Sequence, residues 1–199
     1  MKRIYFDISA TTPVDDRIVN LMNDLQTHNY GNPSSIHREG QSARAIIEKS
    51  RRQLSKVLNC KADEIIFTSS GTEANNMVLK GVLENNDHLI TSSYEHPAIL
   101  KVLPYLKEKG VEFSLIKPNQ CGMIELGKIK KEIKRNTKLI SIMYVNNELG
   151  TINPISEIAY ISHNKDILFH SDAVQALGKI PYSCIGLASH LALQGLHPI

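Results

Sequence analysis

The apolar positions of this chain switch repeatedly between helical spacing and short continuous runs. Val14, Ile18, Leu21, Met22 and Leu25 recur at the helical period, and a longer stretch, 36–59, places Ala43, Ile46, Ile47, Leu54, Val57 and Leu58 on one stripe. Between these two helices, Asn29-Tyr30-Gly31-Asn32-Pro33-Ser34-Ser35 reads as an ordered loop rather than a linker. A short strand is expected at 4–6. From Glu64 onward the alternation is regular: strands at 65–68, 88–91, 111–116, 139–145 and 167–169 are separated by helices at 72–83, 98–109, 126–135 and 155–163. That order predicts an α/β fold, a mostly parallel sheet with helices on both faces joined by right-handed crossovers. The expected organisation is an N-terminal arm over 1–13, one large domain over 14–181 and an atypical tail over 182–199.

Composition narrows the function classes. With 199 residues, 42% of them hydrophobic, the chain can bury a sizeable core. The net charge of +3 comes from 23 basic and 20 acidic residues spread along the sequence, which argues against a nucleic-acid or membrane surface. The densest basic run, Lys128 to Arg135, is interrupted by Ile129, Glu132 and Ile133 and reads as a solvated helix face. Cys60, Cys121 and Cys184 show no metal-ligand spacing and fit free thiols in a reducing compartment, the cytoplasm; no metal site is expected. Neither a signal segment at Met1 nor an apolar run of about 18 residues is visible. Residues 182–199 carry none of the charged side chains, so the tail is either a buried segment or out of the gene's reading frame.

The chemistry-bearing stretch is Leu168-Phe169-His170-Ser171-Asp172-Ala173-Val174-Gln175, an apolar run ending in an acid and an amide. In an open α/β sheet, ligands sit outside the carboxyl ends of the strands, which puts Asp172 and Gln175 at a pocket. A buried Asp needs a cationic partner, and no Lys or Arg lies within six residues of it. The protonated ring nitrogen of a pyridine cofactor is one candidate; a plain helix cap or turn is the other reading. At 68–76 a strand enters a small Gly-containing turn that opens a helix, suited to a phosphate or to an ordinary Ser/Thr cap. Tyr144 to Thr151 brings Asn146 and Asn147 to a strand end, where loop formation also explains them. His96, between Glu95 and Pro97, is either a turn residue or an aromatic placed on a cofactor ring. Gly122 to Lys128 mimics a nucleotide phosphate loop, but Ile129 stands where a magnesium-binding hydroxyl is required.

Taken together, these segments resemble the cysteine desulfurases of the NifS and IscS type, which are fold-type-I pyridoxal-phosphate (PLP) enzymes of the class-V aminotransferase family. The matching pieces are Tyr5-Phe6-Asp7 with Ser9-Ala10-Thr11-Thr12-Pro13, Gly31-Asn32-Pro33-Ser34-Ser35 with His37, Phe67 to Asn76, Glu95-His96, Val145 to Gly150, and Asp172 to Gln175. The resemblance runs from about Arg3 to Pro181 and implies the large domain of a PLP-dependent transferase, incomplete at its end. It implies that Gly71 and Thr72 hold the cofactor phosphate, Asp172 pairs with the pyridinium nitrogen, and Gln175 and Asn147 sit at the phenolic oxygen. His96 would stack on the ring and assist proton transfer. The implied reaction takes sulfur from L-cysteine, giving L-alanine and a persulfide. The sulfur then passes to an iron–sulfur scaffold or a tRNA-thiolation acceptor, in a soluble homodimer that binds neither membrane nor nucleic acid directly.

The family's Ser-Gly-His-Lys-like motif falls at the end of this sequence, where His197 matches its His and would contact cofactor, but Pro198 stands at the Lys. None of the three cysteines matches the sulfur-accepting one. The expectation is a C-terminally truncated desulfurase, inactive as it stands, with a non-catalytic module that competes for desulfurase partners or the dimer interface as the alternative. An aminotransferase-like or selenocysteine-acting relative is a third reading.

Overall fold

A computed structural model describes residues 4–8 and 10–180. They fall into two compact units, one up to Phe67 and one from Thr68 onward.

In the first unit, helix α1 (Asp16–His28) starts on the carboxylate of Asp15, which accepts the Arg17 amide at 2.8 Å. Helix α2 (Arg38–Leu58) starts on His37, whose Nδ1 accepts the Gly40 amide, and ends on Asn59 in the left-handed conformation. The loop before α2 is ordered by close packing: a Cβ on Gly31 would lie 2.4 Å from the Glu39 carbonyl oxygen, so only glycine fits. Helix α2 buries Ala43 and Leu58 but leaves Ile47 and Val57 exposed, narrowing the stripe expected from its sequence.

Two expected strands are absent. Residues 4–6 are irregular, with Ile4 and Phe6 exposed, and residues 65–68 are also irregular, with Ile66 and Phe67 exposed. An isolated extended segment gains nothing unless a neighbour takes its N–H and C=O groups, and neither stretch pairs with a strand among the described residues. The Ile65 carbonyl accepts Arg51 Nη1 instead, and the Arg51 guanidinium lies 4.9 Å from the centre of the Phe67 ring.

The second unit opens with α3 (Gly71–Val82) and then alternates: β1 (His88–Ser92), α4 (Pro97–Leu100), α5 (Leu103–Glu108), β2 (Glu112–Ile116), α6 (Leu126–Glu132), β3 (Thr137–Ser141), α7 (Ile155–His163) and β4 (Leu168–His170). The helix expected over 98–109 is broken at Lys101 and Val102. Pro104 cannot donate to the ladder and clashes with the preceding turn, so the chain restarts as α5 with the proline in its first turn.

All strand pairs are parallel, in the order β2-β1-β3-β4. Alternation along each strand sorts the core into two faces. Leu89, Leu139 and Leu168 meet Leu79 and Leu83 of the α3 segment with Ile99, Leu103 and Leu106, whereas Ile90, Ile140 and Phe169 meet Ile129, Ile155 and Ile158. Helices therefore cover both faces, as parallel sheets require.

Beyond β3 the chain makes a small hairpin closed by the Val145–Ile152 bridge. Buried Asn153 stitches it down: its Oδ1 accepts the Ile124 amide at 3.0 Å, and its Nδ2 donates to the Met143 carbonyl at 2.9 Å. Asn153→Leu strands both backbone groups, and its expected cost is about 2–4 kcal/mol. Urea unfolding checks this, and an unchanged midpoint would show that both groups find other partners.

Candidate functional site

Strand order fixes where a ligand can enter. The chain leaves β1 toward β2 on one side and leaves β3 toward β4 on the other, so connections diverge between the central neighbours β1 and β3. This is the topological switch point, where open α/β sheets leave a crevice at the strands' carboxyl ends. Glu95 and His96 follow β1, Asn146 and Asn147 follow β3, and Asp172 and Gln175 follow β4.

Asp172 is held at that edge from several directions. Its backbone carbonyl accepts the Tyr144 amide at 2.8 Å, which extends the β3–β4 ladder past the strand ends. Its Oδ1 accepts the Val174 amide and its Oδ2 accepts Asn75 Nδ2 from α3, each at 3.1 Å. The side chain is buried, and among the described residues it has no ion pair. A carboxylate so placed, with amide donors and no cation, is suited to pairing with a positively charged ligand atom.

Two further ionisable groups lie close enough to feel the charge of the acid. Glu95 is buried; its Oε1 accepts Ser92 Oγ at 2.5 Å and the Met143 amide at 3.0 Å, while Oε2 has no partner among the described residues. Burial, reinforced by the negative charge of Asp172, pushes its carboxyl up to about 8, against the Ser92 and Met143 hydrogen bonds. Glu95 is therefore a neutral acid near pH 7. His170 is fully buried, shares a 2.8 Å hydrogen bond between Nδ1 and Ser141 Oγ, and burial pulls its imidazole down to about 4, against the attraction of Asp172. It is neutral as well.

At the start of α3, Ser70 Oγ accepts the Glu73 amide at 3.2 Å, and Glu73 Oε2 accepts both the amide and the hydroxyl of Ser69 at 2.6 Å. These bonds hold the Glu73 carboxyl below its usual range. The cap read from the sequence is present, and Gly71 and Thr72 occupy its first turn, where backbone N–H groups and the helix dipole favour an anion. Glu73 brings a negative charge to that same turn.

Asn146 forms the loop after β3: its Oδ1 accepts the Glu148 and Leu149 amides at 3.0 and 2.8 Å, and its Nδ2 donates to the Tyr94 carbonyl at 3.3 Å. Asn147, next along, is half-buried. Gln175 Oε1 accepts the Lys179 ammonium at 2.7 Å, so its carbonyl end is engaged and its donor end is the one a phenolic oxygen would need. His96 is exposed and caps α4, with Nδ1 accepting the Ala98 amide at 3.1 Å; the ring therefore carries its proton on Nε2. His197 lies outside the described residues.

The class-V aminotransferase family model matches residues 4–190. The chain belongs to that family. Among curated class-V relatives, the cysteine desulfurase IscS of Dictyoglomus turgidum is 44% identical over 186 residues, covering 91% of this chain and 47% of the relative. The mitosomal cysteine desulfurase of Encephalitozoon cuniculi is 43% identical, covering 90% of this chain and 43% of the relative. Among solved structures, SspA in complex with cysteine superposes with a TM-score of 0.92 at 36% identity, covering 98% of this chain and 57% of that one. A NifS-like protein also gives 0.92, at 38% identity, with 97% and 55% covered. The chain thus spans about half the length of the curated relatives it matches.

Class-V aminotransferases and cysteine desulfurases are PLP-dependent enzymes, and the residues at the switch point fit that cofactor. A buried carboxylate lacking a cationic partner among the described residues suits a pyridinium nitrogen. Buried polar atoms left unpaired, among them Asn75 Oδ1 and Glu95 Oε2, mark the same region as one where structural economy has been broken. Asn75, Glu95 and His170 fall within the sequence motifs, and nothing in those motifs marks a role for them. Their signal was weak because each looks like ordinary cap or strand chemistry until burial and its partner are known.

Proposed function

We propose that this chain holds pyridoxal 5'-phosphate at the switch point, as part of a protein that removes sulfur from L-cysteine. The observation that carries the reading is Asp172: buried, bonded by the Asn75 and Val174 amides, and without an ion pair among the described residues. When bound, PLP supplies an electron sink for the substrate carbon bearing the amino group. Asp172 would hold a proton on the ring nitrogen, and Gln175 and Asn147 would orient the phenolic oxygen. Gly71 and Thr72 would receive the phosphate at the start of α3, with Glu73 drawn aside or partly neutralised. His96, protonated on Nε2, would lie against the ring and pass a proton to or from substrate.

Among the described residues Lys165 and Lys179 are equally near Asp172 along the chain; both are exposed, and Lys179 is bonded to Gln175. The products of the proposed reaction are L-alanine and a cysteine persulfide, with the sulfur passing to an iron–sulfur scaffold or a tRNA-thiolation acceptor. A homodimer in the cytoplasm is part of the same proposal. The bound cysteine named for SspA supports the substrate. Among the described residues, no helix is long and apolar enough to cross a membrane.

Equilibrium dialysis against PLP tests the cofactor site. Asp172→Ala is expected to weaken binding by on the order of 100-fold, the effect of removing one partner of a desolvated charge pair. Equal affinity in the folded variant and the parent would remove Asp172 from the site.

A further inference from the structure

Asn75 stands where packing alone would place an apolar side chain. It is wholly buried on α3, one turn before Leu79, on the helix face that meets Leu89 and Leu139. Its Oδ1 has no hydrogen-bond partner among the described residues, so the side chain bears a desolvation cost that its fold contacts do not return. What it does make is the 3.1 Å bond from Nδ2 to Asp172 Oδ2.

The other carboxylate oxygen is occupied by the Val174 amide, a backbone donor whose position follows from the chain path. Glu95 and His170 influence the acid through space, and neither forms a hydrogen bond to it. Among the described residues, the orientation of the Asp172 carboxylate therefore depends on a single side-chain donor. Two donors, one on each oxygen, fix the carboxylate plane; with one, the group can turn about its terminal torsion, which is broad and roughly two-fold.

We propose that Asn75 is a positioning residue of this site: its amide fixes the Asp172 carboxylate in the orientation that meets the ring nitrogen of the bound cofactor. The inference rests on the PLP reading above and goes beyond it, because it assigns the aim of the acid to a residue on a different element. Asn75 touches neither substrate nor cofactor in this account. Its effect passes wholly through Asp172, and that restriction makes it separable from a general role in folding.

The test compares two probes in equilibrium dialysis: PLP itself and its carbocyclic analogue, in which C–H replaces the ring nitrogen. The parent chain is expected to prefer PLP. Asn75→Leu, close in volume and without a donor, is expected to lower PLP affinity about tenfold, the worth of one hydrogen bond to a charged group, and to leave analogue affinity unchanged. In an Asp172→Asn background the same substitution should change neither affinity. If Asn75→Leu does not melt cooperatively, Asn75→Ala carries the same expectation.

If the parent binds both probes equally, or neither, the pairing of Asp172 with a ring nitrogen fails and this inference fails with it. If the parent prefers PLP and a folded Asn75 variant keeps that preference undiminished, the PLP reading stands and the positioning role is overturned. An equal loss of affinity for both probes would assign Asn75 to the fold and also overturn the proposal.

Discussion

Replacing Glu95 by glutamine is expected to abolish a fall in stability of roughly 5 kcal/mol that the parent chain shows between pH 4.5 and pH 8. The folded carboxyl titrates at about 8, and the unfolded one at its ordinary 4.5. As pH rises through that window the unfolded state releases its proton while the folded state keeps it, so stability is complete below pH 4.5 and declines until pH 8. The separation, at about 1.4 kcal/mol per pH unit, sets the size of the effect. His170 works in the opposite sense. Its folded imidazole titrates at about 4 and its unfolded one at 6.5, so its contribution is complete above pH 6.5 and lost as pH falls through 4. Between pH 6.5 and 8 the Glu95 slope stands apart from the His170 one, and that interval is the most informative. Glutamine keeps the acceptor that takes Ser92 Oγ and the Met143 amide and cannot ionise. Urea midpoints measured at half-unit pH steps decide the matter: parallel curves for parent and variant would show that Glu95 ionises normally in the fold.

Phe169→Ala is expected to cost roughly 4 kcal/mol, with Phe169→Leu costing less than about 1.5 kcal/mol. Phe169 is fully buried among Ile90, Ile140, Ile142, Ile155 and Ile158, on the opposite side of β4 from His170. Truncation to alanine opens a cavity at the junction of three strands and α7, and neighbouring β-branched isoleucines have few rotamers with which to fill it. Chemical denaturation of the two variants against the parent measures the difference. A loss below about 1 kcal/mol for alanine would mean that the sheet collapses around the void.

The path from sequence to site was uneven for identifiable reasons. The parallel sheet with helices on both faces was legible because strands and helices alternate with clear changes of period, and 155–163 falls on α7 as expected. Asp172 stood out because it closes an apolar run with no Lys or Arg within six residues, although a plain cap or turn explained it equally well. Residues 4–6 and 65–68 misled because an apolar triplet carries no information about whether a pairing partner exists. The break before α5 could have been read from Pro104, whose missing N–H is a local fact. By contrast, no local signal could show that Glu95 is neutral. That state follows from burial and from the Asp172 charge, and both are products of the fold. Asn75 was hidden for the same reason, since its meaning lies in a partner on another element.

The contact between Asn75 and Asp172 joins residues 97 positions apart, across three crossovers of the sheet. Closing so long a loop carries an entropic cost, and β4 has to find β3 before the acid can meet its amide. A nascent or partly folded chain can thus bury its helices and still lack the site. Under the proposed function, ligand that binds only the finished site would draw the population toward the fully ordered sheet by mass action, so cofactor supply would act on this chain as a folding reagent.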